Sequence, residues 1–148
     1  MKKITTILAV LVIMISGTAF ANTGDKVTKT VQAAFDHQFS GAEEISWEIT
    51  ADFYFATFSL DKKSMTAAFN EDGELVGISR KLLFSEIPLN VSQSVKNSFT
   101  GYTIRDSVTE IMYDGQTFYY VTACNQNKTL KLKCFSDGEI TIEKKIKK

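Results

Sequence analysis

Few side chains in this sequence could do chemistry. His37 is the only histidine and Cys124 and Cys134 are the only cysteines among 148 residues, so any Ser-His or Cys-His arrangement must use His37. That histidine stands beside the helically spaced stripe Val31, Phe35 and Phe39, and no nucleophile motif accompanies it. A helix-face role is expected, not that of a base. One histidine and two cysteines at no ligand spacing do not fill a tetrahedral zinc shell. The segment Asn70-Glu71-Asp72-Gly73-Glu74 lacks the alternating acids and closing bidentate glutamate of a calcium loop, and it reads as a hairpin turn. No glycine-rich phosphate loop occurs. No catalytic residue, metal or cofactor is expected.

Contact chemistry is better represented. Along Asp52 to Leu60 both faces of a would-be strand are apolar, with Tyr54, Ala56, Phe58 and Leu60 on one and Phe53 and Phe55 on the other. A second strand does the same, with Tyr119, Val121 and Ala123 opposite Phe118 and Tyr120. If the first sets face the core, Phe53, Phe55, Phe118 and Tyr120 line the sheet face away from the helices, and exposed aromatics of this kind anchor protein partners. The alternative is that all four are buried by the other half of the chain or by a second copy, because central strands are often apolar on both faces. Thr129, Lys131, Lys133, Thr141, Glu143 and Lys145 are expected to flank that face with polar, mostly basic side chains. A different class of function, a carrier of a small apolar or lipid-like ligand, needs a cavity between sheet and helices lined by residues such as Trp47, Tyr54 and Phe69.

The elements that position these residues follow from periodicity. Val31, Phe35, Phe39 and Gly41 recur as Val91, Val95, Phe99 and Gly101, and the spacing of four puts each apolar set on one helical stripe. Phe53 to Thr57 recurs as Phe118 to Thr122, and Asp72-Gly73-Glu74-Leu75 as Asp137-Gly138-Glu139-Ile140. The pattern predicts helices over 25–38 and 88–98, with Pro88 at a first helical position. Strands are predicted over about 44–50, 52–60, 64–69 and 74–80, then about 102–113, 116–124, 129–135 and 139–146. Asp72-Gly73, Asp114-Gly115 and Asp137-Gly138 are two-residue hairpin signals. The expected class is α+β, a tandem repeat of one helix plus a four-stranded antiparallel sheet, with repeats over about 25–80 and 87–146 inside one domain, 22–148. Lys81 to Ile87 is the one candidate linker, too apolar to hang free.

Pairing Tyr120–Cys124 with Thr129–Phe135 about a turn at Gln126-Asn127 sets Cys124 opposite Thr129 and Cys134 opposite Tyr119, on opposite faces. A disulfide needs Cα atoms about 4.4–6.8 Å apart, so this register forbids one, although an oxidising compartment favours bridges.

The N-terminus names that compartment. Met1-Lys2-Lys3 precedes an apolar run from Ile4 to Ile15, then small residues at Ala19 and Ala21, which is the pattern of a secretory leader cleaved after Ala21. The run is shorter than the roughly 20 residues of a membrane span and no second one follows. A periplasmic or secreted domain without a membrane span is expected. Seventeen basic and seventeen acidic side chains give no field for nucleic acid, and the lysines at 144, 145, 147 and 148 read as a solvated end.

In order along the chain, Trp47, Tyr54-x-Ala56-x-Phe58, Ala67-x-Phe69, Asp72-Gly73-Glu74-Leu75, Ile87-Pro88-x-x-Val91 and Tyr119-x-Val121 form a pattern that resembles the PepSY-like, β-lactamase-inhibitor-like family of exported bacterial proteins. The resemblance spans about Val27 to Ile146. It implies a tandem helix-plus-sheet fold and a non-enzymatic module that binds or restrains another protein. The matching positions are core and turn positions, so the resemblance transfers no contact residue.

Overall fold

A computed structural model describes residues 26–147. The leader expected at 1–21, with its cleavage after Ala21, lies outside these described residues. Along the chain run α1 (Lys29–Gln38), β1 (Glu43–Ile49), β2 (Tyr54–Leu60), β3 (Lys63–Phe69), β4 (Leu75–Leu83), a 3₁₀ turn (Phe84–Glu86), α2 (Leu89–Ser98), β5 (Thr103–Ile104), β6 (Ser107–Tyr113), β7 (Gln116–Cys124), β8 (Lys128–Phe135) and β9 (Ile140–Lys147). The class is α+β, and the chain divides into two compact units at Arg80 and Lys81.

In the first unit the helix is shorter than expected, because Thr28 caps it. The Thr28 hydroxyl accepts the Val31 N–H at 3.3 Å, satisfying one of the unpaired amides of the first turn. The helix ends where the Phe39 N–H reaches the Phe35 carbonyl, just before Gly41 at φ +87°. Strands β1, β2 and β3 pair antiparallel in sequence, and β3 pairs with β4. The alternation that splits β2 into two faces sends Ala56 and Phe58 to α1, where they meet Val31, Phe35, Phe39, Trp47, Ala67 and Phe69. Phe35 is the centre of that cluster, with the rings of Phe58, Trp47, Phe39 and Phe69 at 5.0, 5.3, 5.4 and 6.3 Å. Edge contacts of this kind add about 0.5–1.5 kcal/mol per pair to simple burial.

The second unit fills the same kind of space mainly with aliphatic side chains. Val91 and Val95 of α2 pack on Val108, Tyr119, Val121, Ala123, Leu130, Leu132 and Cys134. Pro88, expected at the first helical position, stands instead at the cap, and the helix begins one residue later at Leu89. Its sheet runs β6, β7, β8, β9, with β5 also on β7. The single strand expected over 102–113 is two, because the chain leaves the ladder at Arg105 and Asp106. The Asp106 carbonyl turns to accept the Phe84 N–H at 2.7 Å, while the Arg105 N–H keeps the Thr122 carbonyl at 2.8 Å. The expected linker is likewise ordered structure. β4 continues to Leu83, the 3₁₀ turn follows, and Leu82 and Ile87 are buried in the second core.

The three Asp-Gly signals resolve into two kinds of turn. Asp114-Gly115 forms the expected two-residue loop, both residues at positive φ. Gly73 and Gly138 instead close three-residue loops, with the glycine N–H donating to the Asn70 and Phe135 carbonyls respectively. These two turns lie against their helices. A Cβ at Gly73 would meet the Thr30 carbonyl oxygen at 3.1 Å, and one at Gly138 the Ser94 hydroxyl at 2.9 Å. A further two-residue loop, Asp61-Lys62, holds two non-glycine residues at φ +50° and +63°.

Gly101 has a similar backbone at φ +83° but open space where a Cβ would go, so it separates the two costs. Gly101→Ala is expected to lose about 1 kcal/mol from the left-handed backbone alone, and Gly73→Ala about 1–2 kcal/mol more from crowding α1. Urea unfolding of both variants measures the difference; equal losses would mean that the turn does not press on the helix.

Candidate protein-binding face

The pleat sorts the candidate residues as expected and the burial does not. In the first unit Phe55 lies on the face away from α1, between Glu48 on β1 and Ala68 on β3. It is only 1% exposed, so it cannot be a surface anchor in this chain. Phe53 precedes β2 and does not belong to it. The hydroxyl of Thr50 accepts its N–H at 3.2 Å, while the Thr50 N–H donates to its carbonyl at 2.9 Å, and this clamp holds the half-buried ring 6.4 Å from that of Phe55. Next to this row Ser46, Thr57, Thr66 and Ser79 stand directly opposite one another across four strands, with the Thr57 and Thr66 hydroxyls 3.1 Å apart.

In the second unit Phe118 is 5% exposed, which corrects the second expected anchor. Pattern alone could not separate these two from Phe53 and Tyr120, because period two gives the side of a sheet and not what covers it. Phe118 stacks edge-on to Phe135, its cross-strand partner, at 5.4 Å. The Lys133 ammonium sits over both rings, at 4.1 and 5.2 Å from their centroids. Tyr120 is directly opposite Lys133 and half-buried. Burial, with the Glu143 carboxylate adding to it, pushes its phenol up to about 12. One pair further along, Lys131 Nζ donates to Thr122 Oγ1 at 3.0 Å. Both lysines were expected only as a flank; the register makes them part of the cluster, and Phe135 and Thr122, which hold them, went unnoticed in the sequence.

The basic flank also changes at its outer edge. Lys133 faces Thr141 and Leu132 faces Ile142, but Lys131 faces Lys144, so Glu143 is an extra, bulged residue. Lys145 therefore stands beside Leu130, and Lys144 takes the place on the aromatic face that was expected of Lys145.

The residues proposed to line a ligand cavity are packed instead. Trp47 and Phe69 are buried against Phe35, and Tyr54 packs on the same cluster. An open cleft of about 600 Å³ is lined by Gly101, Thr103, Cys124 and the amides of Asn125 to Asn127, walls unlike the apolar cavity a carrier needs. His37 is exposed in the last turn of α1, and among the described residues no three His, Cys, Asp or Glu side chains gather as a metal shell.

No protein-family model and no curated protein matches the chain. Solved structures do. A BLIP-like protein from Bacteroides fragilis superposes with a TM-score of 0.69 at 19% identity, covering 88% of this chain and 90% of its own. A protein from Bacteroides eggerthii, named for an expected periplasmic location, gives 0.69 at 17%, covering 82% and 88%. A DUF2874 family protein from Bacteroides uniformis gives 0.68 at 18%, covering 81% and 88%. The fold is BLIP-like. At these identities the likeness concerns the fold alone.

The Oε2 of Glu48 is sequestered with no hydrogen-bond partner, although the rest of the side chain is half-open, and burial raises its carboxyl above the usual range. The folded state therefore holds this proton more tightly than the unfolded one. Its burden is absent below the unfolded value of about 4.3, grows as pH rises toward the folded value and is complete above it. Glu48→Gln is expected to raise stability at about pH 7 by less than about 1 kcal/mol and to change nothing near pH 3. Thermal melts at both pH values check this; an equal shift at each would point to packing.

The expected Cys124–Thr129 and Tyr119–Cys134 pairings are both present, and both thiols are free. Cys134 faces the core, where burial pushes its thiol up to about 12, while Cys124 is half-buried on the other face. One thiol per chain is expected to react with an aromatic disulfide reagent in native protein and two in denaturant. Native reaction of both, or of neither, would contradict the assignment.

Proposed function

We propose that this chain is an exported, non-enzymatic binding module, periplasmic or secreted, that docks on another protein through the helix-free face of its sheet. The observation that carries this reading is the cluster Tyr120, Lys133, Phe118 and Phe135. It consists of a half-buried tyrosine and a lysine held over two rings, on a face that α2 does not use. Side chains already fixed by their neighbours lose little freedom on binding, and tyrosine is a favoured anchor. Phe53 is the corresponding anchor of the first unit, with Phe55 and Phe118 as the buried supports of Phe53 and Tyr120. The module is read as a tandem of two helix-plus-sheet units, and the PepSY-like order of its motifs adds restraint of a partner to the role.

Further support comes from the leader pattern, from the neighbour named for the periplasm and from the BLIP-like neighbour, whose name refers to an inhibitor. Among the described residues no helix is long and apolar enough to cross a membrane.

The test is a crosslinking capture from the periplasm of the native host with wild-type protein, Tyr120→Ala and Phe53→Ala, each checked for folding by circular dichroism. Wild type is expected to hold a defined protein that Tyr120→Ala releases at least tenfold more readily, the loss of about 1.4 kcal/mol or more that a hot-spot tyrosine gives. An identical captured set for wild type and both variants would remove the face from consideration.

A further inference from the structure

The last strand carries a feature that the sheet-face reading does not use. β9 pairs with β8 alone among the described strands, so one of its edges presents unpaired backbone N–H and C=O groups. From Thr141 onward every residue of β9 is exposed. Ile142 stands beside the buried Leu132 yet is 55% exposed, and Ile146 is 42% exposed on the opposite face. The bulge at Glu143 also sets lysine directly against lysine twice, Lys131 opposite Lys144 and Lys128 opposite Lys147. Like charges in that position repel and weaken the ladder.

We infer that the free edge of β9 accepts an extended, acidic segment of another polypeptide as an added strand. Three observations select this occupant. Lys144 and Ile146 project to one face of the sheet, and Lys145 and Lys147 to the other. A ligand lying on either face meets half of them, whereas a strand at the edge sends alternate side chains to both. The edge N–H and C=O groups need a complementary backbone, which a polypeptide has and a nucleic acid or a lipid surface lacks. Carboxylates on the added strand would stand next to Lys144, Lys145 and Lys147 and offset the charge that β9 sets against Lys128 and Lys131 of β8. The same lysines repel the β9 edge of a second copy, so the edge discriminates against self-pairing while it attracts an acidic strand. This site is separate from the Tyr120 cluster, and its test is independent of that reading.

The probes are two fluorescein-labelled peptides of equal length, one alternating valine with glutamate and the other valine with lysine, titrated into purified protein by anisotropy. The glutamate peptide is expected to bind and the lysine peptide not, with binding weakened about tenfold between low and moderate salt. Amide hydrogen exchange over 140–147 is expected to slow on binding. Lys144→Glu/Lys145→Glu/Lys147→Glu, all exposed positions, is expected to reverse the preference in a protein that folds normally by circular dichroism, while Tyr120→Ala leaves it unchanged. Equal binding of both peptides overturns the proposal. Binding of the glutamate peptide that leaves the β9 amides exchanging as before, and that heparin abolishes, overturns it too, since that is a plain anion patch with no added strand.

Discussion

Neither of the two helices among the described residues could stand alone. Each has ten residues, below the length at which a helix persists in water by itself, so each exists because its apolar stripe is buried on a sheet. That dependence dictates the rest. Val31 and Phe35 in one unit, and Val91 and Val95 in the other, need alternate strand residues pointing at them, which fixes the register of β2 and β7 and thereby assigns every neighbouring residue to the other face. Phe118 and Tyr120 lie away from α2 because Tyr119, Val121 and Ala123 must lie toward it. The candidate face is thus the complement of the core and has no separate origin.

The two units meet the same requirement with different side chains. Around Phe35 the space is filled by rings meeting edge to face, a geometry that fixes orientation as well as contact. Around Val91 and Val95 it is filled mainly by aliphatics and the Cys134 thiol, with Tyr119 as the one buried ring and Phe84, Phe99 and Tyr102 at the margin. Phe118 and Phe135 lie on the opposite face, where they support Lys133. A lysine over two rings keeps its charge at the surface while its stem covers apolar area, so this face is charged and pre-shaped at once.

Legibility in the sequence followed the same division. Stripes and alternation gave both helices, most of the strands, the side of every β2 and β7 residue and the register that separates Cys124 from Cys134, because each is a consequence of local spacing. Burial of Phe55 and Phe118 was not legible, since period two says which way a side chain points and nothing about what lies over it. The break at Arg105 and Asp106 was hidden for a related reason. It is set by the Phe84 amide, distant in sequence, and Thr103 to Tyr113 reads as continuous strand. Lys81 to Ile87 read as a linker because strand β4 ends on residues that alternate poorly, yet Leu82 and Ile87 are pulled into the second core. The lysine cluster was visible as composition, but one bulged glutamate exchanged Lys145 for Lys144 and produced the lysine–lysine pairs.

That bulge bears on how stability and recognition divide along the second sheet. β7 and β8 are buried on the helix side and carry the unit's cohesion, so β9 contributes little beyond Ile140, its one packed isoleucine. An edge strand so lightly held can tolerate two like-charged pairs that would be costly near the core, where screening is weak. Placing the repulsion at the outermost strand keeps it from Val121 and Leu132, and leaves the charge where a partner or solvent ions can neutralise it. The gradient from a dry, register-fixing centre to a lysine-bearing margin follows from one short helix that covers β7 and β8 and leaves Ile142, beside Leu132, exposed.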